Sequence, residues 1–112
     1  MKRRVITASK DNMLSTSGFS FDFTYQGDYD SGAIENVIYD TFEDQLGLEV
    51  VGIDFHSVDY SNVPEFSDQD ISQCGVDFKH TRSYSEGAII GAIDAGLASL
   101  GYELIGYDFY SL

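Results

Sequence analysis

Basic residues are scarce: six Lys and Arg stand against 19 Asp and Glu in 112 residues, a formal net charge of −13. They are also unevenly placed. Lys2, Arg3, Arg4 and Lys10 lie in the first ten residues, so residues 11–112 hold 2 basic and 19 acidic groups, net −17. A body this acidic repels phosphate, which excludes direct binding of DNA or RNA, and it repels anionic lipid. Cys74 is the only cysteine, so there is no internal disulfide, and no cluster of Cys and His has zinc-ligand spacing. No run of 18 apolar residues exists to span a bilayer, and no apolar stretch follows the basic start as in a secretory signal. The expectation is a soluble, cytoplasmic protein with no cofactor. Apolar and aromatic residues are plentiful, at 43% and 14%, enough to build a packed core.

The sequence contains its own partial copy. Gly32-Ala33-Ile34 recurs as Gly87-Ala88-Ile89, Asp22-Phe23 as Asp77-Phe78, and Tyr29 as Tyr84, all 55 residues on. Further along, the offset falls to 54: Leu46-Gly47 matches Leu100-Gly101, Glu49 matches Glu103, and Gly52-x-Asp54-Phe55-x-Ser57 matches Gly106-x-Asp108-Phe109-x-Ser111. One residue is therefore lost from the second copy within or just after its helix.

Each copy reads strand, loop, helix, strand. Phe19, Phe21, Phe23 and Tyr25 alternate with Ser20, Asp22 and Thr24, the period of a half-buried strand. Ser31 is the expected N-cap of a helix that buries Ala33, Ile34, Val37, Ile38, Phe42 and Leu46 and stops at Gly47. Glu49, Val51, Ile53 and Phe55 then share one strand face. In the second copy, Val76, Phe78 and His80 alternate with Gly75, Asp77 and Lys79. Ser85 precedes a helix burying Ala88, Ile89, Ala92, Ile93, Leu97 and Leu100, and Ile105, Tyr107 and Phe109 oppose Gly106, Asp108 and Tyr110.

Two such units in tandem predict an α+β, ferredoxin-like βαββαβ domain: a four-stranded antiparallel sheet with both helices on one face. Residues 1–112 form a single domain. They divide into a basic arm (1–17), a first repeat (18–57), an acidic connection (58–73) and a second repeat (74–112), and Val5–Ala8 is a candidate extra edge strand.

Alternation leaves Asp22, Asp54, Asp77 and Asp108, one per strand, on the helix-free face. In the simplest register Asp22 and Asp77 are neighbours on the two central strands, which makes them weak candidates for a divalent-metal phosphodiesterase. No Lys, Arg or His constellation for phosphate accompanies them; Lys79 and His56 read as solvated. Asp68-x-Asp70-x-Ser72 begins like a calcium loop but has Gln73 where the glycine belongs and Lys79 at the twelfth position. Cys74 and His80 read as packed residues. Gly87, Gly91 and Ala95 form a small-residue stripe that favours close approach of the two helices, or a dimer contact. The first helix carries an acidic ridge, Glu35, Tyr39, Asp40, Glu43 and Asp44, that the second copy lacks.

A charge of −17 in one body is a cost unless solubility or a basic partner offsets it. The residues expected to meet such a partner are Glu35, Tyr39, Asp40, Glu43 and Asp44 on the helix, and Asp59, Glu65, Asp68 and Asp70 on the connection. In length, charge, lack of catalytic motifs and compact α/β form, the chain resembles the small acidic proteins of phages and mobile elements that block host defence nucleases, the anti-CRISPR and anti-restriction proteins. That resemblance implies a non-enzymatic inhibitor, monomeric or dimeric, that occupies a basic nucleic-acid groove of a CRISPR effector or other nuclease by DNA mimicry. Some of that class act instead by allosteric or dimerising contacts. The other readings are a homodimeric ligand-binding or regulatory module and the metal-dependent phosphodiesterase on Asp22 and Asp77.

Overall fold

The computed structural model describes residues 15–60, 62–66, 69–80 and 84–112. Its elements run β1 (Ser15–Tyr25), α1 (Ser31–Tyr39) continued by a π-helical turn (Asp40–Gln45), β2 (Glu49–Ser57), a 3₁₀ turn (Pro64–Phe66), β3 (Asp70–His80), α2 (Glu86–Ser99) and β4 (Glu103–Ser111). The sheet order is β2-β3-β1-β4 with every neighbouring pair antiparallel. This is the expected α+β, ferredoxin-like arrangement. β3 begins at Asp70, inside the stretch read as connection. The candidate strand at Val5–Ala8 lies outside the described residues, and among those described no helix is long and apolar enough to cross a membrane.

The core lies between the helices and one sheet face. Phe19, Phe21 and Phe23 of β1 and Cys74, Val76 and Phe78 of β3 meet Ile34, Ile38, Phe42, Ile89, Ile93 and Leu97, all fully buried. Each buried Phe contributes roughly 1.5–3 kcal/mol through removal of its ring from water. The helix starts are capped by side chains: Asp30 accepts from the Ala33 amide at 3.1 Å and Ser85 from the Ala88 amide at 3.1 Å. Asp30, not Ser31, is thus the first N-cap, and Ala88 stays exposed. Gly47 and Gly101 end the helices at φ of 68° and 84°, a left-handed conformation suited to glycine.

The duplication extends to ring geometry. Tyr29 meets Phe23 edge-on at 5.2 Å and 86°, and Tyr84 meets Phe78 at 4.9 Å and 85°. Tyr29 lies 5.6 Å from Phe55 at 35°, and Tyr84 lies 6.0 Å from Phe109 at 34°. The residue missing from the second helix is also explained. A π-helical turn holds one more residue than an α-turn. The first helix has that turn at Asp40–Gln45 and the second is α-helical throughout, so both reach their C-terminal leucine, Leu46 or Leu100, in phase.

Three expectations fail for identifiable reasons. Each edge strand carries a bulge at its repeat-equivalent position, between Val50 and Gly52 against β3, and at Leu104–Gly106 against Asp22 and Phe23 of β1. A bulge inserts one residue and shifts the alternation. Val50 and Leu104 therefore pack on the core, while Val51 is 46% exposed and Ile105 stands outside the core cluster. Tyr107, at the sheet edge, is 55% exposed. The helix contact does not use Gly87 and Gly91, which have nothing within 4 Å of a would-be Cβ, nor the exposed Ala95. It uses Gly96, where a Cβ would overlap a Val37 methyl group.

Because Val37 is branched close to the backbone, Gly96→Ala is expected to lower stability by about 1–3 kcal/mol through overpacking. Adding Val37→Ala should recover part of that loss in urea denaturation. A double variant less stable than the sum of the two single changes would place the helix contact elsewhere.

Candidate functional site

The face turned from the helices has a regular construction. Read from β2 to β4, three rows cross it: Gly52, Asp77, Gly18, Tyr110; then Asp54, Gly75, Ser20, Asp108; then His56, Gln73, Asp22, Gly106. The repeat maps the first row onto the third, reversed, and the middle row onto itself, so the pseudo-twofold axis passes through the Ser20–Gly75 pair. Asp22, Asp54, Asp77 and Asp108 all lie on this face, as alternation requires.

The register does not bring Asp22 and Asp77 together. Asp22 stands opposite Gln73 and Asp77 opposite Gly18, four residues away along β1, or about 13 Å. Each aspartate instead has a diagonal neighbour, Asp54 for Asp77 and Asp108 for Asp22, at about 7–8 Å. The two-carboxylate metal centre expected from Asp22 and Asp77 therefore does not form. Among the described residues no group of three or more His, Cys, Asp or Glu is placed to hold a metal ion.

The bulges serve these aspartates. Gly52 lies beside Asp77 and Gly106 beside Asp22; a Cβ on either would sit 3.6 Å and 3.5 Å from the respective Oδ2. Glycine leaves a niche over each carboxylate. The two niches then differ. Over Asp22, the chain after β2 folds back onto the sheet. The Tyr60 hydroxyl donates a short hydrogen bond to Asp22 Oδ2, Gln73 Nε2 donates to Oδ1 at 2.8 Å, and Phe66 meets the Tyr60 ring edge-on at 5.7 Å. The Asp22 hydrogen bond, then burial, push the Tyr60 phenol up to about 12. Over the other half, the Tyr110 ring crosses Gly18, where a Cβ would overlap it, and the phenol reaches toward Gly75. Burial raises the Tyr110 phenol, and the carboxylates of Asp77, Asp108 and Asp54 add to it, so three strands point negative charge at this one hydroxyl.

The partner-facing residues expected from sequence separate onto two layers. Tyr39, Asp40, Glu43 and Asp44 are exposed on the helix layer, with Glu35 half-buried. Two of them also serve local structure: Glu43 Oε2 accepts from the Val50 amide at the bulge, at 3.0 Å, and Asp40 accepts from Gln45 at 2.8 Å. Asp59 and Glu65 are exposed on the segment that carries Tyr60, and Asp70 is exposed at the start of β3. Asp68 lies outside the described residues. Cys74 is buried, and desolvation, with Glu35 and Asp54 nearby, pushes its thiol up to about 12, which suits a core residue and not a nucleophile.

Sequence reading missed Tyr60, Gln73 and Tyr110. The third was readable from strand alternation; the first two depend on a fold-back that no local pattern encodes. It also missed Ser17, whose Oγ lies 2.9 Å from His80 Nε2. The repeat decides what that pair is. Ser72 is the copy of Ser17 and holds the Tyr29 hydroxyl at 3.3 Å, so the serine on each central strand ties down a ring of its own cluster.

No family model and no curated protein sequence matches the chain. Among solved structures it is similar to a dinuclear metal-binding peptidase of the M20 family from Bacillus subtilis, with 12% identity and a TM-score of 0.49 over 88% of this chain and 26% of the other. A formyltetrahydrofolate deformylase from Pseudomonas putida gives 8% and 0.49 over 87% and 29%. A protein of unknown function from Galdieria sulphuraria gives 11% and 0.48 over 88% and 50%. The chain thus spans half or less of each of these structures, and the likeness carries no inference about activity, substrate or partner.

The Tyr60–Asp22 contact has a titration signature. The phenol moves from its ordinary 10.0 to about 12 on folding, so the contact contributes stability in full below pH 10 and loses it as pH rises toward 12. Ultraviolet titration of Asp22→Asn should return one tyrosine toward the ordinary range and leave the Tyr110 transition raised. An unchanged titration curve would detach Tyr60 from Asp22.

Proposed function

We propose that this chain is an acidic, cytoplasmic protein-binding inhibitor, not an enzyme, that occupies the basic nucleic-acid groove of a host defence nuclease such as a CRISPR effector. The observation that carries this reading is the distribution of charge. Of the 19 acids, all but Asp11 and Asp68 lie among the described residues, against Lys79 as the sole Lys or Arg there. These carboxylates stand on both layers: aspartates on the open sheet face and the Tyr39–Asp44 ridge on the helices. A flat basic patch meets one layer of such a body. A channel built to surround nucleic acid meets both, and its Lys and Arg side chains recognise carboxylates through the same charge-assisted hydrogen bonds they give to phosphate. Tyr39 and Tyr110, 44% and 39% exposed, add uncharged contact area of the kind that anchors protein interfaces.

The test is capture of a purified CRISPR effector, free or preloaded with DNA, across a salt series. Capture should occur with the free effector, disappear on DNA loading, and weaken by at least about tenfold between 0.1 and 0.5 M salt as exposed charge is screened. Neutralising Asp40, Glu43 and Asp44 together should weaken it further. Equal capture of both forms at high salt would overturn the reading.

A further inference from the structure

The two halves of the open sheet face are copies, yet among the described residues only one is covered by a chain segment. On the covered half, the segment after β2 folds back onto the sheet and places a hydrogen-bond donor, the Tyr60 hydroxyl, on Asp22 in the niche left by Gly106. On the other half, Gly52 leaves the same niche over Asp77. Among the described residues no donor like Tyr60 or Gln73 meets the Asp77 carboxylate. Asp54 is its diagonal neighbour, and Asp108 faces it across the floor formed by Gly75 and Ser20. The exposed ring of Tyr110 forms its wall, a surface suited to a cation as well as to a hydroxyl.

We propose that this second half is where a basic chain segment of the protein partner docks, placing an Arg or Lys on Asp77 in the Gly52 niche as the chain's own segment places Tyr60 on Asp22. Charge complementarity selects the occupant: three aspartates and an aromatic wall match a guanidinium or ammonium, and the covered half shows that the geometry accepts a crossing segment. The inference rests on reading the chain as an acidic binding module and specifies which surface of that module does the binding.

The experiment is titration of the full chain with a fluorescein-labelled hexa-arginine peptide at physiological salt, followed by anisotropy and by amide chemical shifts. Shifts should concentrate at Gly18, Gly52, Asp54, Gly75 and Asp77. Asp77→Asn should weaken binding about tenfold. Gly52→Ala, which fills the niche and removes no charge, should weaken it about fivefold, whereas Gly106→Ala should leave it within about twofold. Neutralising Asp40, Glu43 and Asp44 on the other layer should change it little, because those charges lie beyond about one Debye length, ~8 Å. Asp77→Asn and Gly52→Ala variants that bind as tightly as the unaltered chain, or shifts spread over α1, would overturn the proposal. So would binding that appears only when Lys2, Arg3, Arg4 and Lys10 are replaced by Ser, which would assign the surface to the chain's own basic segment. If effector capture fails in the ridge variant and survives in Asp77→Asn, the inhibitor reading stands and this surface assignment falls. If neither peptide nor effector binds at any salt concentration, both fall.

Discussion

The structure depends on how one strand pairs with its own copy. β1 and β3 are repeat equivalents, and they run antiparallel with Ser20 opposite Gly75, the one pair that the repeat maps onto itself. From that register, the three phenylalanines of β1 fall against Val76, Cys74 and Ser72 on the helix side, and the aspartates fall on the other. A slip of one residue would turn Asp22 and Asp77 into the core and the Phe rings into water. The same register brings each edge strand up to an equivalent neighbour, which is why both bulges form beside an aspartate and why both tyrosine clusters share their ring angles.

Departures from that symmetry are few, and each has a local cause. The extra residue of the first helix is absorbed by the π-helical turn, whose exposed Glu43 takes up the Val50 amide next to the β2 bulge. The second helix has no such insertion and uses Gly96 to approach Val37. The third departure is the fold-back after β2, which covers one copy of the sheet face through Tyr60 and has no counterpart among the described residues of the second copy. Symmetry set the scaffold, and the asymmetric insertions decided which acidic surfaces stayed exposed.

Element type, order and most of the core were readable from the sequence because alternation and helical spacing are local signals: Phe19, Ile34, Ile89 and Leu97 are buried as their periods require. The errors arose where geometry breaks the period. Nothing in Glu49-Val50-Val51-Gly52 announces a bulge except the glycine, and Val51 was placed inward on strict alternation. Asp30 and Ser31 are both good caps, and only the chain path selects Asp30. The small-residue stripe at Gly87 and Gly91 has the right spacing, yet helix orientation is set by Ile89, Ile93 and Leu97, which turn Gly96 toward α1 instead. On the open face, the sequence placed the four aspartates correctly but not their register, and register decides which carboxylates are neighbours. Tyr60 was invisible because its partner lies 38 residues away.

The spacing of the aspartates also explains how the fold carries so much charge. Within each diagonal pair, at about 7–8 Å, repulsion acts inside the screening length of physiological salt, about 8 Å, whereas the two edge strands stand three strand spacings apart, about 14 Å, where screening removes most of it. The electrostatic cost is therefore concentrated in two pairs. In the Asp22–Asp108 pair, Tyr60 and Gln73 relieve it by donating hydrogen bonds to Asp22. In the Asp54–Asp77 pair, the nearby Tyr110 phenol instead has its ionisation suppressed by burial first and then by these carboxylates and Asp108. A donor arriving at Asp77 would lower repulsion that the chain has already relieved in the other half. The gain from such contact is largest where folding left the charge least compensated.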